Sequence, residues 1–156
     1  MTESRWTLWT SRYQSFQPEW GAPIPITLGM PKFRLGYVIG PSERDLAPDY
    51  AWFNASTETY TIRMIEKFDR FGVEHYEGIF DRHAASSGKT DLVLLCYEDL
   101  SKPREFCHRR LFSVWWEEKT GQVVREKGLS ATMVGPKAIS QARNLVQGIE
   151  QVRLFE

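Results

Sequence analysis

The stretch from Leu92 to Trp116, LVLLCYEDLSKPREFCHRRLFSVWW, holds both cysteines of the chain and one of its three histidines. Cys96, Tyr97 and Glu98 close an apolar run, and Cys107, His108 and Arg109 follow shortly after it. Metal binding, thiol chemistry and carboxylate chemistry are all open to such residues. Zinc sites draw on close ligand pairs such as C-x-x-C with a second pair elsewhere. Only Cys96, Cys107 and His108 are at hand here. Neighbouring side chains on one helix diverge by about 100°, which suits Cys107 and His108 poorly as joint ligands, so no metal and no other cofactor is expected.

A cysteine at a helix N-terminus has its thiolate stabilised by the dipole, and His108 or Arg109 would depress its pKa further. Helical phase, however, aligns Cys107 with Leu111, Val114 and Trp115, which makes it equally a small buried core residue. Cys96, inside the apolar run, reads as core. Glu98 has the stronger claim to chemistry. A carboxylate directly after a buried strand is desolvated enough for general acid or base work, or for gripping the donor edge of a nucleobase. Its competing role is a capping or arginine-paired structural acid. Arg109 or Arg110 could neutralise it or hold a phosphate, with at least one of them on the solvated face.

Ser11 and Arg12 end an earlier apolar segment and would join the same crevice if that segment neighbours the central one; hydroxyl plus guanidinium suits an anionic ligand. A plain turn after a strand explains them as well. His75 and His83 lie in a helical section at i and i+8 without a visible partner and read as surface or satisfied side chains. Trp6, Trp9, Trp20 and Trp52 sit among arginines, a pattern that allows base stacking, although core and pocket lining are the commoner uses of Trp.

These residues need elements to hold them. RWTLWTSRY alternates as a strand, and APIPITLGMP gives a second short run; Pro23 and Pro25 lack an N–H, so this strand is either short or at an edge. GYVIGPSERDLAPDYAWF reads as a long, partly ordered connection. From Ser56, the spacing of Tyr60, Met64, Ile65, Phe68 and Phe71 predicts a helix; Gly72 permits a break, and Val73, Tyr76, Ile79 and Phe80 resume a second stripe. Within DLVLLCYE the run Leu92 to Tyr97 is continuously apolar or aromatic, as in a parallel strand covered on both faces. EFCHRRLFSVWWEEKTG reads as a helix between Glu105 and Gly121, QVVRE as a short strand, and PKAISQARNLVQGIEQ as a last helix over 136–151 that packs on the rest. Strand and helix in this alternation predict an α/β fold: a single three-layer Rossmann-like domain over 1–156, its mostly parallel sheet flanked by helices. In such sheets ligands sit beyond the carboxyl ends of the strands.

The chain has 156 residues with 42% hydrophobic content, enough for one core without disulfides. Lys and Arg total 20 against 20 Asp and Glu, so no global field recruits a polyanion. No segment reaches the roughly 18 apolar residues of a spanning helix, and the N-terminus has no apolar leader core. The expectation is a cytoplasmic protein with reduced cysteines, small-molecule nucleotide or base partners, nucleic acid as a further partner and no membrane.

TSRY, PIPITLGMP, LAPDY, LVLLCYE, FCHRRL, WW and VVRE together resemble the domain of unknown function 488 family, in its branch with a TSRY-like N-terminal segment. The resemblance runs from about Trp9 to Glu126 and omits the C-terminal segment. It implies a Rossmann-like domain whose signature maps onto Cys96, Tyr97, Glu98, Cys107, His108 and Arg109, joined by Ser11 and Arg12. The loop DLSKPRE is longer than is usual in that family. The resemblance supplies a place and no reaction.

The functional expectation is an enzyme acting on a nucleotide or nucleic-acid base, with N-glycosidic bond cleavage or transfer as its reaction. Glu98 would be the catalytic carboxylate, and Ser11, Arg12, Tyr97, His108 and Arg109 the binding residues. A non-catalytic nucleotide or nucleic-acid binding module is the alternative, and thiol-dependent chemistry at Cys107, with Cys96 beside it, is the second.

Overall fold

A computed structural model of the chain describes residues 5–97 and 107–128. In chain order they form β1 (Thr7–Arg12), β2 (Ala22–Pro25), α1 (Thr57–Ser87), β3 (Asp91–Cys96), α2 (His108–Thr120) and β4 (Arg125–Glu126), with 3-10 turns at Pro18–Trp20 and Arg44–Leu46. Glu98 and the C-terminal helix expected over 136–151 lie outside the described residues. The strands make one all-parallel sheet in the order β2-β3-β1-β4.

β3 is hydrogen-bonded on both sides, and Leu92 to Leu95 are each 0% exposed, so an apolar residue is required at every position. β2 is the edge strand that its prolines demand. In a parallel strand the N–H and C=O of one residue point the same way, so Ile26 donates to Leu95 O at 3.2 Å while Pro23 and Pro25 face the open side. The carbonyl of Pro25 is capped there by the N–H of Glu43 at 2.8 Å. Gly21 leads into this strand with φ 141°, and a Cβ on it would stand 2.3 Å from the Asp91 carbonyl oxygen.

Connection direction explains the layers. Going from β2 to β3 and from β3 to β4 the chain moves the same way across the sheet, so right-handed crossovers put both helices on one face. β1 to β2 runs in the opposite sense and sends its connection to the other face. The core follows this division. Leu8, Ile24, Leu92 and Leu94 pack against Met64, Phe68 and Phe80 of α1 and Leu111, Phe112 and Trp116 of α2. Val93 and Leu95 face Tyr13, Phe16, Trp20 and Tyr37 of the connecting segments. The result is a three-layer α/β fold whose second outer layer, among the described residues, is ring-bearing connections.

α1 is capped by Ser56, whose Oγ accepts from the N–H of Thr59 at 3.2 Å. It breaks at Gly72, whose φ of 83° and ψ of 167° are not helical, and the two apolar stripes read from the sequence, through Phe68 and from Tyr76, both turn inward. The long connection before α1 is pinned by Lys67, whose ammonium donates to the carbonyls of Arg44 and Ala47 and to the Asp49 carboxylate. His75 pairs with Asp45 and His83 with Glu43, both at 2.7 Å, so both histidines are satisfied structural side chains. Trp6 is buried in the core and donates to Asp81, Trp9 donates to Asp91, and Trp52 packs on Tyr60. No helix among the described residues is long and apolar enough to cross a membrane.

Candidate functional site at the carboxyl end of the sheet

Parallel pairing brings Arg12, Pro25, Cys96 and Glu126 to one end of the sheet. β1 and β3 are adjacent there, yet the segment that follows β1 packs on the loop-covered face, whereas α2, the next described element after β3, packs on the helical face. That divergence is a topological switch point, where the backbone opens a crevice. Its two sides differ in character.

On the helical side sit Cys96, Cys107 and His108, buried to 1%, 2% and 4% exposure. Cys107 is the N-cap of α2, with φ −139° and ψ 141°, so it is not a helical residue. This overturns the divergence argument: from an extended Cys107, both its sulfur and the His108 ring turn toward Cys96. The Cys107 thiol donates to Cys96 Sγ at 2.7 Å, and His108 Nδ1 lies 3.7 Å from Cys96 Sγ and 3.9 Å from Cys107 Sγ. His108 Nε2 is 2.6 Å from the Ile26 carbonyl oxygen. A carbonyl can only accept, so Nε2 carries the proton and Nδ1 presents its lone pair to the sulfurs. Burial, reinforced by the hydrogen bond to Cys96, pushes the Cys107 thiol up to about 12, against the opposing pull of Arg109 and His108. The depression expected of a thiol at a helix N-terminus is therefore outweighed by desolvation.

The arginines depart from expectation too. Neither lies on the solvated face: Arg109 is 0% exposed and Arg110 7%. Arg109 grips Glu126 with two hydrogen bonds, Nε to Oε1 at 3.1 Å and Nη2 to Oε2 at 2.8 Å. The Thr10 hydroxyl donates to the same carboxylate at 2.6 Å and accepts from Arg110 at 3.0 Å, while Arg110 also donates to the Val124 carbonyl. Burial lowers the Arg109 pKa, but the adjacent Cys107 and the Glu126 carboxylate raise it by more, and the guanidinium stays charged. Arg110 is lowered, chiefly by burial. Both arginines thus fasten the start of α2 to β1 and β4. The ligand-binding role expected of Arg109 is occupied by Glu126, a partner that no local spacing announces.

The loop-covered side is open. A cleft of about 320 Å³ is lined by Tyr13, Gln14, Phe16, Gln17, Phe33, Arg34 and Tyr37, among others. Tyr13 forms its inner wall and packs on Tyr97 with ring centroids 4.8 Å apart; Phe33 adds an edge-on contact to Tyr97 at 6.3 Å. Tyr97 also donates to the Gly29 carbonyl at 2.8 Å, and Tyr37 donates to the Tyr13 carbonyl at 2.7 Å. The rings are fixed in place, whereas Gln14, Gln17, Phe33 and Arg34 are exposed. Rigid aromatic faces with free amides and a guanidinium suit a planar, anionic ligand. Sequence reasoning passed over Gln14, Gln17, Phe33, Arg34 and Tyr37. The available signal was the polar–aromatic mixture of RYQSFQPEW directly after a strand.

Of the other expected residues, Ser11 is fully buried, with its hydroxyl 3.2 Å from the Lys127 carbonyl. Arg12 lies opposite Cys96 in register and donates to Ser15 Oγ at 2.9 Å. A second hollow of about 460 Å³ runs along the first half of α1, but its Lys67 and Arg63 are paired with Asp49 and Glu66. The carboxyl end therefore brings together Arg12, Tyr13, Tyr97, Cys96, Cys107 and His108, and diverts Ser11, Arg109 and Arg110 to structural bonds. No family model, no curated protein and no solved structure matches this chain.

Proposed function

We propose that this chain is an enzyme that binds a nucleotide or nucleic-acid base at the carboxyl end of its sheet and cleaves or transfers the N-glycosidic bond. One observation carries the reading: an aromatic cleft lies just past β1, and its Tyr13 and Phe33 rings both contact Tyr97, the residue that follows β3 and precedes Glu98 in the sequence. The Phe33 and Tyr37 rings offer stacking surfaces for a base, the Gln14 and Gln17 amides offer both donors and acceptors to its edge, and Arg34 offers a guanidinium to a phosphate. Glu98 supplies the carboxylate. In hydrolysis it takes a proton from the attacking water, the new C–O bond forms as the C–N bond breaks, and a proton is returned to the departing base nitrogen.

The test has two stages. Calorimetric titration with nucleoside monophosphates, nucleosides and free bases should show binding, and Arg34→Ala should weaken the phosphate-bearing ligands by about tenfold, the worth of one charge-assisted hydrogen bond, while sparing free bases. Release of free base from a bound nucleotide should then vanish in Glu98→Gln with affinity retained. Turnover that survives this variant rejects Glu98, binding without any product leaves a binding module, and absence of binding rejects the reading as a whole.

A further inference from the structure

The buried cluster on the helical side is not used by that reading. We propose that Cys96, Cys107 and His108 form a metal site selective for a borderline-soft divalent ion, zinc in the first place, with two thiolates and one neutral imidazole as ligands. Their donor atoms all lie within 4.8 Å of one another. A tetrahedral zinc with ordinary bond lengths separates a sulfur from a nitrogen ligand by about 3.5 Å. The observed separations from His108 Nδ1 are 3.7 and 3.9 Å. The sulfurs, at 2.7 Å, are closer than the ~3.8 Å edge such an ion sets, so metal entry spreads them by about 1 Å.

The second shell points the same way. Metal-bound histidines almost always donate their other ring N–H to a carbonyl or carboxylate, which fixes the tautomer. Here the Ile26 carbonyl does this at 2.6 Å, and Nδ1 is left as a base aimed at two thiols with no proton of its own to give. Two thiolates neutralise a divalent ion, so the loaded site adds no net charge to a buried region already holding the balanced Arg109–Glu126 pair. Three donors among the described residues are one short of a closed structural zinc site. The site is independent of the nucleotide cleft, which faces the other side of the sheet.

The test uses the full chain, reduced and stripped with a chelator, then loaded separately with zinc and with cobalt. We expect one zinc per chain to survive gel filtration, and the cobalt form to show thiolate charge-transfer absorption together with the intense visible bands of tetrahedral coordination. Cys96→Ser, Cys107→Ser and His108→Ala should each lower zinc affinity by at least the ~10- to 100-fold that loss of an outer-shell partner causes. Should a variant fail to fold, the wild-type chain decides alone: zinc should block alkylation of both cysteines in the native state. Zinc well below one per chain, a cobalt spectrum without thiolate bands, or an intact mass short by two hydrogens before reduction, which marks a disulfide, would each overturn the site.

Discussion

The two sides of the strand ends solve opposite problems with similar residue types. On the helical side the described polar side chains are buried: Arg109 and Thr10 bond to Glu126, Arg110 bonds to Thr10 and the Val124 carbonyl, and Cys96, Cys107 and His108 gather in a second cluster. On the loop-covered side the tyrosines are equally fixed, by Thr27, Gly29 and the Tyr13 carbonyl, but the rings border an open cleft with exposed amides and a guanidinium. Burial separates the two. It makes the first region a determinant of stability and leaves the second free to bind.

The sharpest way to break this contrast is at Glu126. Replacing it by Leu strands the Arg109 guanidinium in the core, and urea unfolding should show a loss of about 3–5 kcal/mol, the usual cost of breaking a buried pair from one side. A loss under 1 kcal/mol, roughly what an exposed pair is worth, would mean that the helical side is not held by this network. A smaller effect is expected at the boundary. Tyr13→Phe removes a buried hydroxyl contact with Thr27 at 2.7 Å, and should cost about 1 kcal/mol by the same measurement.

Alkaline titration sharpens the contrast from the open side. Burial raises the Tyr37 phenol from its ordinary 10.0 to about 12. The folded chain then holds this proton more tightly than the unfolded chain. Its contribution to stability is complete below pH 10.0 and fades as pH rises to about 12. Unfolding free energies measured across that range should fall less steeply in Tyr37→Phe than in wild type; an unchanged slope would remove Tyr37 from the fixed wall. The smallest stability effects belong to Gln14→Ala and Arg34→Ala. Each should stay within about 0.5 kcal/mol of wild type, while affinity for nucleoside monophosphates drops. A stability loss comparable to that of Glu126→Leu would make the cleft another structural region.

Much of the fold is written locally. LVLL is apolar at every position because a central parallel strand is covered twice, PIPI goes to an edge because its prolines cannot donate, and Gly72 divides α1 because its backbone leaves the helical region. The site is legible only as a place. That Cys96 and Cys107 are near neighbours follows from a strand end followed by a helix start, but helical phase does not apply to Cys107, whose backbone is extended. As an N-cap it faces Cys96 instead of lying in a stripe with Leu111.

What the sequence by itself determines is therefore each element, its buried face and the end of the sheet where polar residues gather, because periodicity, capping and proline chemistry act over a few residues. Tertiary structure alone decides which polar residues are spent. Arg109 meets Glu126 only because β4 pairs with β1, and Tyr13 borders a cleft only because the segment after β1 and the 33–37 stretch pack together on the face opposite the helices. Strand order and crossover direction depend on contacts between residues far apart in the chain, and no spacing of residue types encodes them.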